Sequence, residues 1–348
     1  MNKTYGTIVG LFMVCLFLLW RHYRKSRQAQ TLVFAQLKRY PLIQRAWAAA
    51  REDREPTVTI SGLSSGMLAS AVIGNNMESC QHMTPQGLAL SEEWLFISLY
   101  CGDHQHHSQI MVFDRRSGKH SKNVVLPKRP HVGGLAYDSE KAILWVTITG
   151  NGSGRVGALS LTKLFADNSE QTGVPIVFDS IVDLHKIERA SYLTCYQQEL
   201  IAGSFALKGS GLIAYYTLPH AAGNEDVAKK TRFSPRIQIS TTTKVQSIAF
   251  YQEWVFLARS FGPSASEIWI FPKEAAAFNK KTVSFRIKCP PYLEQIVVEE
   301  YRLYCLFESG ATAYRHKTPW PIEEVLVLDI PTLLHKKTGF KRNRRLHI

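Results

Sequence analysis

The residues richest in chemistry in this 348-residue chain fall in one short run, CGDHQHHS (101–108). Asp103, His104, His106 and His107 bring one carboxylate and three imidazoles close together, and His131 follows 24 positions after His107. Such groups suit a divalent metal, with His104, His106, His107 and His131 as its candidate ligands, or proton transfer near neutral pH. The spacing is neither CxxC nor HExxH, so a polar loop satisfied by its own hydrogen bonds is the competing reading. A second set is dispersed: Gln86, Arg189, Gln246 and Glu294, with Lys244, each stand at the start of a short apolar run. They suit hydrogen bonding to a ligand, or simply solvation of trapped water. The sequence has no GxSxG elbow, P-loop, GxGxxG fingerprint or haem CxxCH, and no catalytic residue can be assigned from it. Whether the chain is an enzyme stays open at this level.

What must position these residues is a repeat. From Thr57 onward, pairs of short apolar strands recur: QGLAL/WLFISLY (86–100), GGLAY/ILWVTIT (133–149), SYLTCY/ELIAGSF (191–205), QSIAFY/WVFLARSF (246–261) and EQIVV/RLYCLFE (294–308). Leu88, Leu135, Leu193, Ile248 and Ile296 align at spacings of 47, 58, 55 and 48. A third apolar strand follows every pair and a fourth follows all but the last. Four strands per period of this length is the pattern of a β-propeller blade. TVTIS (57–61) stands alone before the first repeat, and the fifth repeat lacks its outer strand. The expectation is an all-β, five-bladed propeller closed by its amino-terminal strand, with six blades the alternative if 63–83 adds strands. In a propeller the first strand of each blade lines the axis. The fourth-to-first and second-to-third connections open on one face. That face gathers Gln86, His131, Arg189, Gln246, Glu294 and the 101–107 loop as the expected binding site.

NVVLPKRPHVGGLAYDSEKAILWVT (123–147) and SQIMVFDRRSGKHSKNVVLP (108–127) resemble the repeat of bacterial YVTN/quinoprotein-amine-dehydrogenase-like propellers. The resemblance covers the propeller region and is sharpest in the first two blades. It implies the fold and leaves function open, because that family's members include redox subunits alongside many proteins of other roles.

The formal charge of +14 sits at the two ends: +7 over 1–56, +6 over 331–348 and +1 over 57–330. Nucleic acid is therefore not an expected partner, since the body carries no basic excess. Thr7 to Trp20 is apolar and is followed by Arg21, Arg24, Lys25 and Arg27. The run reads as an uncleaved single-pass anchor on an anionic membrane, with a cleaved signal peptide as the alternative. The charge rule places the body on the cytoplasmic side, against an extracytoplasmic alternative. Lys341, Arg342, Arg344 and Arg345 in the tail suit contact with the same anionic surface. The resulting division is an anchor with its basic flank (1–27), a helical juxtamembrane segment (28–56) in which Pro41 starts a helix, the propeller (57–330) and a basic tail (331–348). The expected role is a non-catalytic ligand- or protein-binding scaffold at the membrane. The alternatives are a metal-assisted hydrolase or lactonase-like enzyme on the top face, or a subunit serving a redox partner.

Overall fold

The strands follow from the short, nearly continuous apolar runs and β-branched content of the repeats, and a computed structural model describes them within residues 33–338, apart from 53–55, 64–67, 72–75, 151 and 219–231. The apolar run 7–20, the basic flank Arg21, Arg24, Lys25 and Arg27, and the tail positions Lys341, Arg342, Arg344 and Arg345 lie outside the described residues. Among the described residues no helix is long and apolar enough to cross a membrane.

An amino-terminal hairpin, β1 (Leu68–Ala71) with β2 (Met77–Cys80), precedes five sheets. Blade one is β3 (Met83–Leu90), β4 (Trp94–Cys101), β5 (Gln109–Asp114) and β6 (His120–Val125). Blade two is β7 (Leu135–Asp138), β8 (Ile143–Ile148), β9 (Gly154–Ser160) and β10 (Ser180–Leu184). Blade three is β11 (Tyr192–Tyr196), β12 (Glu199–Ser204), β13 (Gly211–Thr217) and β15 (Ile237–Thr241). A short β14 (Arg232–Phe233) precedes β15 in the chain and joins the outer edge of blade two in parallel. Blade four is β16 (Val245–Tyr251), β17 (Trp254–Arg259), β18 (Ser266–Pro272) and β19 (Phe285–Cys289). Blade five has β20 (Leu293–Glu299), β21 (Arg302–Phe307) and β22 (Leu326–Asp329). Its fourth strand comes from the amino-terminal side. Thr59 stands opposite Glu324, the Ile60 amide donates to the Glu323 carbonyl at 2.9 Å, and the Val325 amide donates to the Val58 carbonyl at 2.9 Å. The 68–80 hairpin forms a sheet of its own and adds no sixth blade.

The inner strands β3, β7, β11, β16 and β20 touch in a closed ring. The glycines of QGLAL and GGLAY permit that approach. A Cβ on Gly134 would lie 2.4 Å from the Leu193 nitrogen, and one on Gly87 would lie 2.9 Å from the Leu135 nitrogen. The recurrent tryptophans pack between layers: Trp145 is fully buried against Phe233, Trp94 packs on Phe165, and Trp254 packs on Phe285. The longest spacing, from Leu135 to Leu193, holds two short helices, α2 (Leu161–Ala166) and α3 (Ser169–Thr172).

Pro41 does start a helix, α1 (Pro41–Glu52), as proline at a first helical position favours. Its apolar face is covered by protein. Ile43, Ala46 and Trp47 are buried in one cluster with blades four and five and with Leu333 and Leu334 of α4 (Ile330–Thr338). Beneath α1, at the ring seam, lies the buried side chain of Glu324. Burial raises its carboxyl to about 7, opposed by the Arg51 charge and a Trp47 hydrogen bond.

Candidate functional site

Three of the five inner strands carry a β-bulge near their start, between Pro85 and Gly87, between Val245 and Ser247, and between Leu293 and Ile296. A bulge leaves a residue unpaired and re-aims its side chain. The residues so released are Gln86, Gln246 and the pair Glu294–Gln295. Gln295 is buried and spans the axis. Its Oε1 accepts from the Leu88 and Leu135 amides (3.0 and 3.1 Å), and its Nε2 donates to the Leu135 and Leu193 carbonyls (2.7 and 3.1 Å). One side chain from blade five thus joins blades one, two and three.

Beside this tie opens a cavity of about 690 Å³, within the usual size of a small-molecule site. Gln86, His131, Arg189, Gln246 and Glu294, five of the positions expected from sequence, line it. Tyr100, Tyr292, Glu308, Tyr314 and Lys317 complete its polar wall, and Phe205 and Phe261 add apolar surface.

The chemistry concentrates on Glu294 and Glu308. Glu294 is buried in the β20 bulge, and Glu308 follows β21 directly. Gln86 Nε2 donates to Glu308 Oε2 at 2.8 Å, and Gln246 Nε2 donates to Glu294 Oε1 at 3.4 Å. Burial raises both carboxyls, and their mutual repulsion and hydrogen bond raise Glu294 further, while Glu308 rests at about 7. Glu294 therefore keeps the proton and donates it to Glu308, as paired carboxyls in one dry site must. Tyr100 and Tyr314 stand over the pair, both pushed up by burial. The His131 ring lines the cavity with its centroid 4.3 Å from that of the Tyr100 ring, and desolvation there, with a smaller push from the Arg189 charge, lowers its pKa.

The 101–107 loop goes elsewhere, and the set His104, His106, His107 and His131 is not the one the fold assembles. His104 takes a left-handed conformation (φ 58°) in the turn after β4 and faces the outer side of Tyr100, with ring centroids 6.2 Å apart. His107 Nδ1 lies 3.0 Å from the Leu126 carbonyl, and its amide donates to the Ala71 carbonyl at 2.8 Å. His131 is drawn into the cavity wall. Asp103 sits 3.7 Å from His82 and accepts from Cys101 Sγ at 2.6 Å. Among the described residues only Cys80, Cys101 and His106 bring three metal-capable atoms together.

Sequence reading found Gln86, Gln246 and Glu294 because they share one position in the repeat, two before the aligned Leu88, Ile248 and Ile296. It missed Glu308, a lone acid at the end of a strand, and Gln295, whose inward aim exists only because of the bulge.

No protein-family model matches the chain, and no curated protein matches it. Among solved structures it is similar to hydrazine synthase of Kuenenia stuttgartiensis, at 11% identity and a TM-score of 0.37, covering 64% of this chain and 55% of that one. The chain thus spans about half the length of that relative. It is also similar to a chain of a nidogen/laminin complex, at 10% identity and a TM-score of 0.39, covering 73% and 84%. A third likeness is to the Dos1 propeller, at 13% identity and a TM-score of 0.32, covering 72% and 60%. At these identities the likeness concerns the fold alone.

Proposed function

We propose that this chain is a membrane-anchored propeller whose top-face cavity binds a small, hydroxyl- or carbonyl-rich molecule. The observation that carries the reading is the Glu294–Glu308 pair, set in a cavity of about 690 Å³ beside Gln86, Gln246 and Arg189. A protonated carboxyl and two amides offer neutral donors and acceptors, and Arg189 and Lys317 accommodate at most a weakly anionic group. Aromatic walls at Tyr292 and Phe261 cover apolar faces, the usual balance of a ligand pocket. The test is thermal denaturation of the purified full chain across a panel of neutral sugars, polyols and monocarboxylates. A binder at 100 times its Kd adds about 2.7 kcal/mol, and Gln246→Ala should abolish the shift. A panel without a binder, or a shift that survives Gln246→Ala, contradicts the reading.

A second reading is favoured by the same carboxyl pair, namely proton-transfer catalysis with Glu294 as acid and Glu308, near neutrality, as base. The metal-assisted form of that idea draws its donors from Asp103, His104, His106, His107 and His131, of which only His131 lines the cavity, so a catalytic role passes to the carboxyls. Turnover of a bound panel member, lost in Glu308→Gln while binding persists, would select it.

Kinship with YVTN/quinoprotein-like propellers rests on residues 108–147, which fold as the outer half of blade one running into the inner half of blade two. Membrane anchorage rests on the apolar run at 7–20 with its basic flank and on the basic tail. A reporter fused at residue 348 should be active in the cytoplasm, and external activity would reverse the orientation.

A further inference from the structure

Cys80, Cys101 and His106 lie on three separate segments: the end of β2 in the hairpin, the end of β4 in blade one, and the loop leading to β5. All three are buried, at 1%, 1% and 9% exposure. Cys80 Sγ is 3.5 Å from Cys101 Sγ, and Cys101 Sγ is 3.3 Å from His106 Nδ1. The three donor atoms all lie within 4.8 Å of one another. Tetrahedral zinc, with Zn–S near 2.3 Å and Zn–N near 2.0 Å, sets its ligand atoms about 3.5–3.8 Å apart, so two of the three separations already lie within a few tenths of an ångström of that value and the third needs to close by at most about 1 Å. We propose that this triad binds one zinc ion, which clamps the amino-terminal hairpin onto blade one. The site is independent of the cavity.

Two thiols and an imidazole select zinc over calcium or magnesium, which prefer oxygen donors. The surroundings suit metal-bound thiolates. The His82 amide donates to Cys80 Sγ at 3.4 Å, and the His106 amide faces Cys101. Asp103 Oδ1 lies 2.6 Å from Cys101 Sγ and accepts its proton while the thiol is intact. On metal binding the two thiol protons leave to solvent and both sulfurs ligate as thiolates. The Asp103 carboxylate, no longer able to accept from Cys101, rotates to become the fourth ligand. No oxidant or reductant enters this exchange.

The clamp also organises the turn beside it. Gly102 donates to the His82 carbonyl at 2.9 Å and His104 to the Cys101 carbonyl at 3.0 Å, and the His107 amide holds the Ala71 carbonyl. The loop that carries His106 is therefore already tied to the hairpin that carries Cys80.

The test uses the purified, reduced full chain, stripped with a chelator and titrated with zinc or cobalt alone. One metal per chain is expected, and the cobalt form should show thiolate-to-metal charge transfer with the strong visible bands of a tetrahedral site. Cys101→Ser and His106→Ala should abolish stoichiometric binding. Asp103→Asn should weaken it roughly 10–100-fold, while His104→Ala and His131→Ala should leave it unchanged. Asp103→Asn and His106→Ala, confirmed folded by their far-UV spectra, keep the test valid if a cysteine variant fails to fold. Absence of stoichiometric metal in the reduced wild type, cobalt bands without thiolate character, or a Cys80–Cys101 disulfide that takes up no metal after reduction would overturn the proposal.

Discussion

Glu308 carries a pKa near 7 because the cavity withholds solvent from it. In the unfolded chain the same group ionises near 4.5. Above that pH the unfolded state sheds a proton that the folded state keeps, so this group's contribution to stability falls as pH rises from about 4.5 to 7 and then levels. The shift corresponds to about 3 kcal/mol. Glu308→Gln, which mimics the neutral form, should lessen the slope of that part of the Tm–pH curve. An unchanged slope in the variant would place the proton elsewhere. Gln295 is the other residue on which much turns. Gln295→Glu removes both donors to the Leu135 and Leu193 carbonyls and buries a charge, so a loss of about 3–5 kcal/mol is expected in denaturant titration. Gln86, Gln246 and Glu294 were legible in the sequence because a repeat marks equivalent positions even when their purpose is unknown. Glu308 and Cys80 were not. Glu308 acts through Glu294, 14 positions earlier, and Cys80 through Cys101, 21 positions later, and a single sequence carries no sign of such pairings. The histidine run misled for the complementary reason: adjacent side chains on a turn point in different directions, so closeness in sequence scattered them.

Among the elements, the seam of blade five tests how the ring closes. Ile60→Pro removes the amide that bonds the Glu323 carbonyl and disturbs a buried side chain, at a cost on the order of 3 kcal/mol. Tm should drop by several degrees, whereas Thr59→Ala, exposed on the same strand, should stay within about 0.5 kcal/mol. Equal effects would contradict closure by this strand. Glu324 sits at the same seam with its carboxyl raised to about 7 by burial. Its ionisation opposes folding as pH rises from 4.5 to 7, so Glu324→Gln should raise Tm at pH 8 and change it little at pH 4. Strands were the most legible level, because each blade repeats the same order of short apolar runs and an orphan strand at one end matched a vacancy at the other. The inward glycines, Gly87 and Gly134, were visible in the repeated Gly-Leu-Ala, though the reason for them, backbone approach within a ring, needs the ring. The packing of α1 was not legible. Its stripe of Ile43, Ala46, Trp47 and Ala50 reads equally well as a face for lipid or for protein, and only the seam beneath it decides.

At the scale of the whole molecule, the +14 charge resolves into a near-neutral propeller flanked by two basic ends, and the proposed recognition rests on the carboxyl pair and amides of the cavity. If the carboxyl pair binds its ligand as a neutral donor, affinity must follow its protonation. The most direct measurement is calorimetric titration of the tightest panel compound into the full chain from pH 5.5 to 8.5, for wild type and Glu308→Gln. Wild-type affinity should fall as pH rises through about 7, while the variant should bind with a nearly flat profile. Wild-type affinity independent of pH, or a variant that follows the wild-type curve, would contradict that mode of binding.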